Sequence, residues 1–405
     1  MAFVLLAAWP QQLGGFFYHP RLIAVVHLVT LGWISSSILG ALYLVCPLAF
    51  RTPLPESRAD LLAFVAWAVG VAGAASHFWV ERYGGLAWAG GLALLAYAWP
   101  ACRVLRALPR APVPLEARLP FGLALANFFL AGGLGVLLGI NKHAPFLPFS
   151  QMGGVLGHLH LAAVGWATMM VMGAGYRVLP MVLPSAMPRG RAALSSALLL
   201  QGGVLGLAGA LALGGPLVRP FAIVTLVGLG LFVSRLAFML RHRRPPPTAR
   251  LRPDWSVLHL GQSFLCLLAA AGLGLYLAWT PDAEAALRAA MVYGVLGLVG
   301  FLSQIIVGVE ARILPLAAWL QAFARGGYAE LPPSPHRVLP HRTLGIAFLL
   351  WALGVPGLAA GLALDIAALT AVAAAGLALA VLASALATGR GLLALRPNAK
   401  SPGGG

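Results

Sequence analysis

Apolar stretches of about 20 residues recur along the whole chain, and they constrain its fold more than any other feature. A helix of this length crosses the roughly 30 Å hydrocarbon layer of a bilayer. Charged residues make up only 9% of the chain and the mean hydropathy is +0.89, whereas soluble domains carry about 25% charged residues. The sequence therefore predicts an all-α polytopic membrane protein in which residues 1–405 form a single transmembrane domain.

Eleven of these stretches are predicted to span the membrane. They lie at about 22–49, 60–80, 84–107, 119–140, 153–182, 192–213, 217–240, 257–279, 288–318, 342–363 and 366–389. An N-terminal stretch at about 2–18 is a weaker candidate for a twelfth span, because Pro10 and two glutamines interrupt it. We therefore expect a bundle of 11–12 helices.

The connections between the spans predict their orientation. Arginines follow the first, third, fifth, seventh, ninth and eleventh spans, as in RHRRPPPTARLR after the seventh, whereas the alternate loops are short or acidic, as in TPDAEAA. The positive-inside rule places the basic loops and the C-terminus in the cytoplasm. The net charge of +17 is spread over these loops and forms no basic-aromatic groove, which argues against nucleic-acid binding. The chain has only three cysteines, all in apolar surroundings and none in a C-x-x-C motif, which excludes a disulfide framework and a cysteine-ligated cluster.

Three segments of the chain resemble one another. HLVTLGWISSSILGALYLVCPL and HLHLAAVGWATMMVMGAGYRVLPM align His27 with His160 and, without a gap, also match Gly-Trp and a further glycine, alanine, tyrosine and proline. A third copy, YGVLGLVGFLSQIIVGVEARILP, carries Tyr293 and Val295 in place of His158 and His160. The copies lie four spans apart, which predicts three four-helix arcs led by helices at about 22–49, 153–182 and 288–318. We expect the repeated glycines to pack helices closely and the terminal Arg-x-Leu-Pro to stop a helix.

Histidines at the non-cytoplasmic ends of the first two copies are the best site candidates. Ionisable side chains within a membrane are rare and usually functional, and neutral imidazole is a common ligand of metals and heme iron. Because His27 and His160 occupy equivalent positions, we expect them to hold heme iron by both axial positions. His158 points about 200° away from His160 on an ideal helix, so it serves a neighbour, as a hydrogen-bond partner or a ligand of a second metal such as copper. Core histidines bonded to carbonyls or water are the alternative.

Other polar residues are weaker candidates for a site. His77 and His143 lie toward the same end as the three histidines, and His259 lies toward the cytoplasm. Glu310 is predicted to form an intramembrane salt bridge with Arg312, with proton uptake as the alternative.

The chain resembles the catalytic subunit of heme-copper oxidases and nitric oxide reductases, and also the NnrS family of heme membrane proteins. The resemblance rests on the helix count, the repeat and the segments HLVTLGWISSSILGALY and HLHLAAVGWATMMVMGAGYRVLP. The resemblance places His27 at the family's second-helix ligand of the low-spin heme. The chain departs from the family at Tyr293 and Val295, and its segment 192–213 lacks the family's paired histidines. The family's usual copper center is therefore not expected in this chain.

The resemblance implies a heme b protein of a bacterial or archaeal cytoplasmic membrane. As a divergent heme oxidoreductase, it would either transfer electrons or act on nitric oxide or oxygen. Its partners would be a cytochrome or other respiratory subunits. Two alternatives stay open. One is a heme-free structural subunit of a respiratory complex, and the other is a cofactor-free transporter, which the few intramembrane polar groups disfavour; these are Gln201, Gln262, Gln304 and Glu310.

Overall fold

The structure is a computed structural model that describes residues 1–55, 57–187, 190–245, 252–280, 283–329, 331, 332, 334, 335 and 338–394. Parts of the basic loops and the tail from residue 395 lie outside the described residues. The described chain is helical and contains no strand. Eleven of its helices are long and apolar enough to span a membrane. The protein is thus an all-α polytopic bundle, as predicted.

The eleven spans agree with the predicted ones within a few residues at most ends. They are Pro20–Leu48, Arg58–Trp79, Tyr83–Arg110, Leu115–His143, Gln151–Val182, Arg191–Leu213, Val218–Arg241, Trp255–Trp279, Ala285–Arg325, His341–Ala363 and Ala367–Leu393. The first, fifth and ninth are the repeat-leading spans. The first and fifth end within two residues of Pro47 and Pro180, whereas the ninth continues ten residues beyond Pro315 to Arg325. The predicted helix stop is therefore wrong for the third copy.

The N-terminal stretch does not form a span. It folds into two short helices, Ala2–Ala8 and Pro10–Leu13. They are separated at Trp9, and Pro10 takes the first position of the second helix, where its missing N–H is tolerated. Phe3 packs edge-on against Trp33 and Trp351, with ring centroids 6.2 and 6.1 Å apart.

Spans that follow one another in the chain pack side by side, and the short N-terminal helix contacts the eleventh span, so that the order closes into a ring. The repeat-leading spans lie where the three four-helix arcs meet. The first and the fifth both contact the ninth. Trp166 Nε1 donates a hydrogen bond of 3.1 Å to Ser35 Oγ and joins the fifth span to the first.

Each repeat-leading span contains a π-helical segment. The three segments are Leu28–Ser35, Leu161–Thr168 and Leu296–Ser303, each eight residues long. They occupy equivalent positions in the three copies and end on equivalent buried hydroxyl residues, Ser35, Thr168 and Ser303. Since π-helices are rare and concentrate at functional sites, this correspondence supports the repeat at the level of the backbone.

The repeated glycines pack closely in two copies. A Cβ added at Gly165 would lie 3.0 Å from the Asn127 side chain, and one added at Gly300 would lie 2.7 Å from Cys266 Sγ. Each of these contacts reaches the span that precedes the copy. At Gly32 the nearest atom is 3.7 Å away, because a short helix replaces the preceding span of the first copy.

The loops after the odd-numbered spans lie together at one end of the bundle, which we name the arginine end. Four hydrogen bonds join them: Arg103 to Pro55 O, Gly190 N to Glu116 Oε1, Arg244 N to Pro184 O, and His341 Nε2 with Pro253 O. We name the opposite end the histidine end. There, Lys142 Nζ lies 5.1 Å from the ring centroid of Tyr18 and 4.5 Å from that of Tyr83. Which end faces the cytoplasm stays a prediction.

Candidate functional site

His27 and His160 occupy the last position before the π-helical segments of the first and second copies. Each half-buried ring is fixed by its own helix. His27 Nδ1 lies 2.8 Å from Ile23 O, and His160 Nδ1 lies 2.8 Å from Leu156 O. Equivalent histidines thus make equivalent bonds to the carbonyl four residues earlier, which fixes the rotation of both imidazoles.

His158 is held by the fourth span instead of its own helix. Its Nδ1 lies 2.8 Å from Ala131 O. One turn further along the same span, a Cβ added at Gly135 would lie 2.8 Å from His158 Cε1. The ring therefore occupies a place that only a glycine leaves free.

The hydrogen bonds of these three histidines define their tautomers. A carbonyl oxygen can only accept, so each Nδ1 carries the hydrogen and each Nε2 keeps a lone pair. Metal-ligating histidines typically show this pattern, because the outer hydrogen bond orients the ring. His242 makes a similar 2.9 Å bond to Phe238 O at an exposed helix end. This hydrogen bond is therefore not specific to metal ligands. His27 and His158 differ from His242 because their rings also lie near each other within membrane-spanning helices.

The rings of His27, on the first span, and His158, on the fifth, lie near each other with nearly parallel planes. Their centroids are 6.4 Å apart and their planes differ by 17°. Phe78 packs against His27 with a centroid distance of 5.1 Å and an angle of 21°. A metal ion bonded to two imidazoles holds the ring centroids about 6 Å apart, because each metal–nitrogen bond is about 2 Å long. The observed centroid distance of 6.4 Å is close to this value.

His160 has a different neighbour. Tyr293 Oη lies 3.3 Å from His160 Nε2, and the two rings are inclined by 26°. Because His160 Nδ1 already donates to Leu156 O, the tyrosine hydroxyl is the donor to Nε2. Tyr293 stands at the repeat position of His158, so the third copy contributes a hydrogen-bond donor where the second contributes an imidazole. The described ring contacts include none between His27 and His160.

The weaker candidates have their own partners. His77 Nδ1 lies 2.7 Å from Arg82 O, and His259 Nδ1 lies 3.3 Å from Gln304 Nε2 in the buried interior. Among the described contacts, neither residue contacts His27, His158 or His160. Arg312 forms an ion pair with Asp254, and Glu310 lies beside the Ser37 hydroxyl. The predicted Glu310–Arg312 bridge is therefore wrong, because the acidic residue that begins the eighth span reaches the arginine.

Asn127 is a buried polar residue that the sequence analysis did not single out. Its Nδ2 donates to Gly165 O at 2.9 Å and to Gln201 Oε1 at 2.7 Å, and Gln201 Nε2 donates back to Oδ1 at 3.0 Å. Gly165 lies within the second π-helical segment. Asn127 thus satisfies a carbonyl of that segment next to the histidines. An asparagine in an apolar span was a visible signal, but its partners were not.

Comparison with protein-family models and with curated proteins gives no match to this chain. The resemblance to heme-copper oxidases therefore stays a prediction. The chain is a polytopic membrane protein with three imidazoles held by main-chain carbonyls, of which His27 and His158 lie near each other. Any function has to be inferred from these side chains.

Proposed function

We propose that the protein binds heme b between its first and fifth spans and transfers electrons. One observation carries this proposal. His27 and His158 lie on different repeat-leading spans, direct their Nδ1 hydrogens to main-chain carbonyls, and place their rings 6.4 Å apart. Neither Nε2 takes part in these main-chain hydrogen bonds, and in this proposal both would ligate one heme iron.

The small number of protein ligands favours heme over a bare ion. Structural and catalytic ions such as zinc usually take three or four protein ligands. Within the described part of the chain, no group of three or more His, Cys, Asp or Glu side chains could hold a metal. A porphyrin supplies four nitrogens of its own, so two histidines complete the coordination of its iron.

The geometry favours His158 over His160 as the axial partner of His27. The repeat predicted His27 with His160, since these positions are equivalent. However, the Nε2 of His160 accepts a hydrogen bond from Tyr293, and the ring near His27 belongs to His158. In this proposal His27 and His158 would hold the heme iron, His158 would not serve copper, and His160 with Tyr293 would line the site.

A heme with two histidine ligands supplies one-electron chemistry, since no coordination position remains for a gas. The chain's own residues fix and shield it. Ile23 and Ala131 orient the imidazoles through their carbonyls, and Phe78 covers one face of His27. Electron transfer is thus favoured over nitric oxide or oxygen chemistry. The proposed setting is a bacterial or archaeal cytoplasmic membrane, with a cytochrome or respiratory subunits as partners.

The test is a heme count on the full chain purified from heme-supplied cells. Pyridine hemochrome and reduced-minus-oxidised spectra should show about one b-type heme per chain. His27→Ala should lose it, while His242→Ala, which removes an exposed imidazole with a similar hydrogen bond, should keep it. A wild-type protein without heme would overturn the proposal and leave the heme-free subunit or the transporter.

A further inference from the structure

A pocket lies at the arginine end, away from the histidines. It encloses about 200 Å³ where the fifth and seventh spans end and the eighth begins. Three arginines line it, Arg243, Arg244 and Arg252. Its apolar wall is formed by Val182, Leu183 and Val257.

The arginines of this pocket, Arg243, Arg244 and Arg252, have no hydrogen-bond acceptor for their side chains among the described residues. Asp254, the acidic residue of the described lining, forms an ion pair with Arg312 and lies 3.4 Å from Val257 N as the cap of the eighth span. Three exposed arginines therefore border one pocket, whose described carboxylate is engaged by Arg312.

The backbone around the pocket is tied together. Arg244 N donates a hydrogen bond of 2.7 Å to Pro184 O, which joins the segment after the seventh span to the turn after the fifth. The apolar residues Val182 and Val257 belong to the spans themselves. The pocket thus combines charge at its mouth with an apolar wall that continues into the membrane-spanning helices.

We propose that this pocket binds the phosphate group of an anionic phospholipid. Guanidinium groups bind phosphate oxygens through paired, charge-assisted hydrogen bonds. Basic pockets between span ends lie at the depth of lipid headgroups. The apolar wall suits the glycerol and acyl carbons that follow a headgroup, and a free phosphate ion would not use it. This site is independent of heme binding.

The experiment is native mass spectrometry of the full chain in a neutral detergent with added phosphatidylglycerol or phosphatidylcholine. The wild type should retain phosphatidylglycerol in preference to phosphatidylcholine. The triple variant R243Q/R244Q/R252Q should bind phosphatidylglycerol about tenfold more weakly or worse, because several charge-assisted hydrogen bonds are lost together. The matched control is R58Q/R106Q/R110Q, which removes the same charge from exposed positions outside the pocket and should bind as the wild type does.

Inorganic phosphate, added in a separate arm, distinguishes the sources of the ligand. Competition only at a large excess of phosphate supports a lipid in the pocket, whereas competition at equal concentration overturns the lipid assignment. Equal loss in the two triple variants would show an effect of overall charge and would also overturn it. If R243Q/R244Q/R252Q does not fold, R243Q and R252Q are measured singly, and wild-type retention in both contradicts the proposal.

Discussion

At the scale of the residue, the histidine site depends on a small neighbour. The ring of His158 lies over Gly135, and a Cβ there would come within 2.8 Å of it. We predict that Gly135→Ala displaces the ring and lowers the heme content of the purified protein several-fold. Gly133→Ala is the matched control, because a Cβ at that position on the same span meets no atom within 4 Å. Equal heme in both variants would contradict the assigned role of His158.

An ion pair at the arginine end gives a prediction about stability. Asp60 accepts hydrogen bonds from Arg103 at 2.5 Å and from Trp99 at 2.8 Å, and also caps the second span through Ser57 N. Asp60→Asn should lower the free energy of unfolding by about 2 kcal/mol, because hydrogen bonds to a charged group are lost from a mostly buried site. Chemical unfolding in detergent measures this change.

The control for Asp60 is Glu81→Gln. The distance from Arg21 Nε to Glu81 Oε1 is 3.9 Å, and the two side chains are 36% and 49% exposed. Exposed ion pairs contribute about 0–1 kcal/mol, so this substitution should change stability little. A larger effect at Glu81 than at Asp60 would show that burial does not decide the strength of these pairs.

At the scale of the element, the positions of the spans were predictable from the sequence, but the π-helical segments within them were not. Hydropathy reports which stretches enter the bilayer, and this was sufficient for eleven helices. It does not report the π-helical segments, in which each turn holds one residue more than in an α-helix. Such a turn rotates later side chains by roughly 100° relative to an ideal helix. Directions projected from an ideal α-helix therefore fail for the side chains that follow each π-helical segment.

The second π-helical segment also yields a prediction. Asn127 and Gln201 exchange two hydrogen bonds, and Asn127 also donates to Gly165 O. A double-mutant cycle of Asn127→Ala and Gln201→Ala should give a coupling energy of about 1 kcal/mol, within the range of hydrogen bonds between membrane helices. Additive effects of the two substitutions on unfolding would contradict a direct interaction.

At the scale of the whole molecule, the repeat predicted which helices meet but not which side chains do. Aligned glycines and histidines identified the three repeat-leading spans, and these lie where the arcs meet. Equivalence also suggested the pair His27 and His160. The copies have diverged. Tyr293 stands in the third copy where the second has His158, and His158 itself is hydrogen-bonded to Ala131 O of the fourth span. Contacts between arcs depend on such differences, which an internal alignment cannot reveal.

The measurement that tests the account most directly compares the heme spectra of three single variants. Reduced-minus-oxidised spectra of His27→Ala, His158→Ala and His160→Ala are recorded at equal protein concentration, beside the wild type. We predict that the first two lose the b-type bands and that His160→Ala keeps them, because its Nε2 accepts from Tyr293. Loss in His160→Ala with retention in His158→Ala would contradict the proposed ligand pair, and absence of heme from the wild type would contradict the heme site itself.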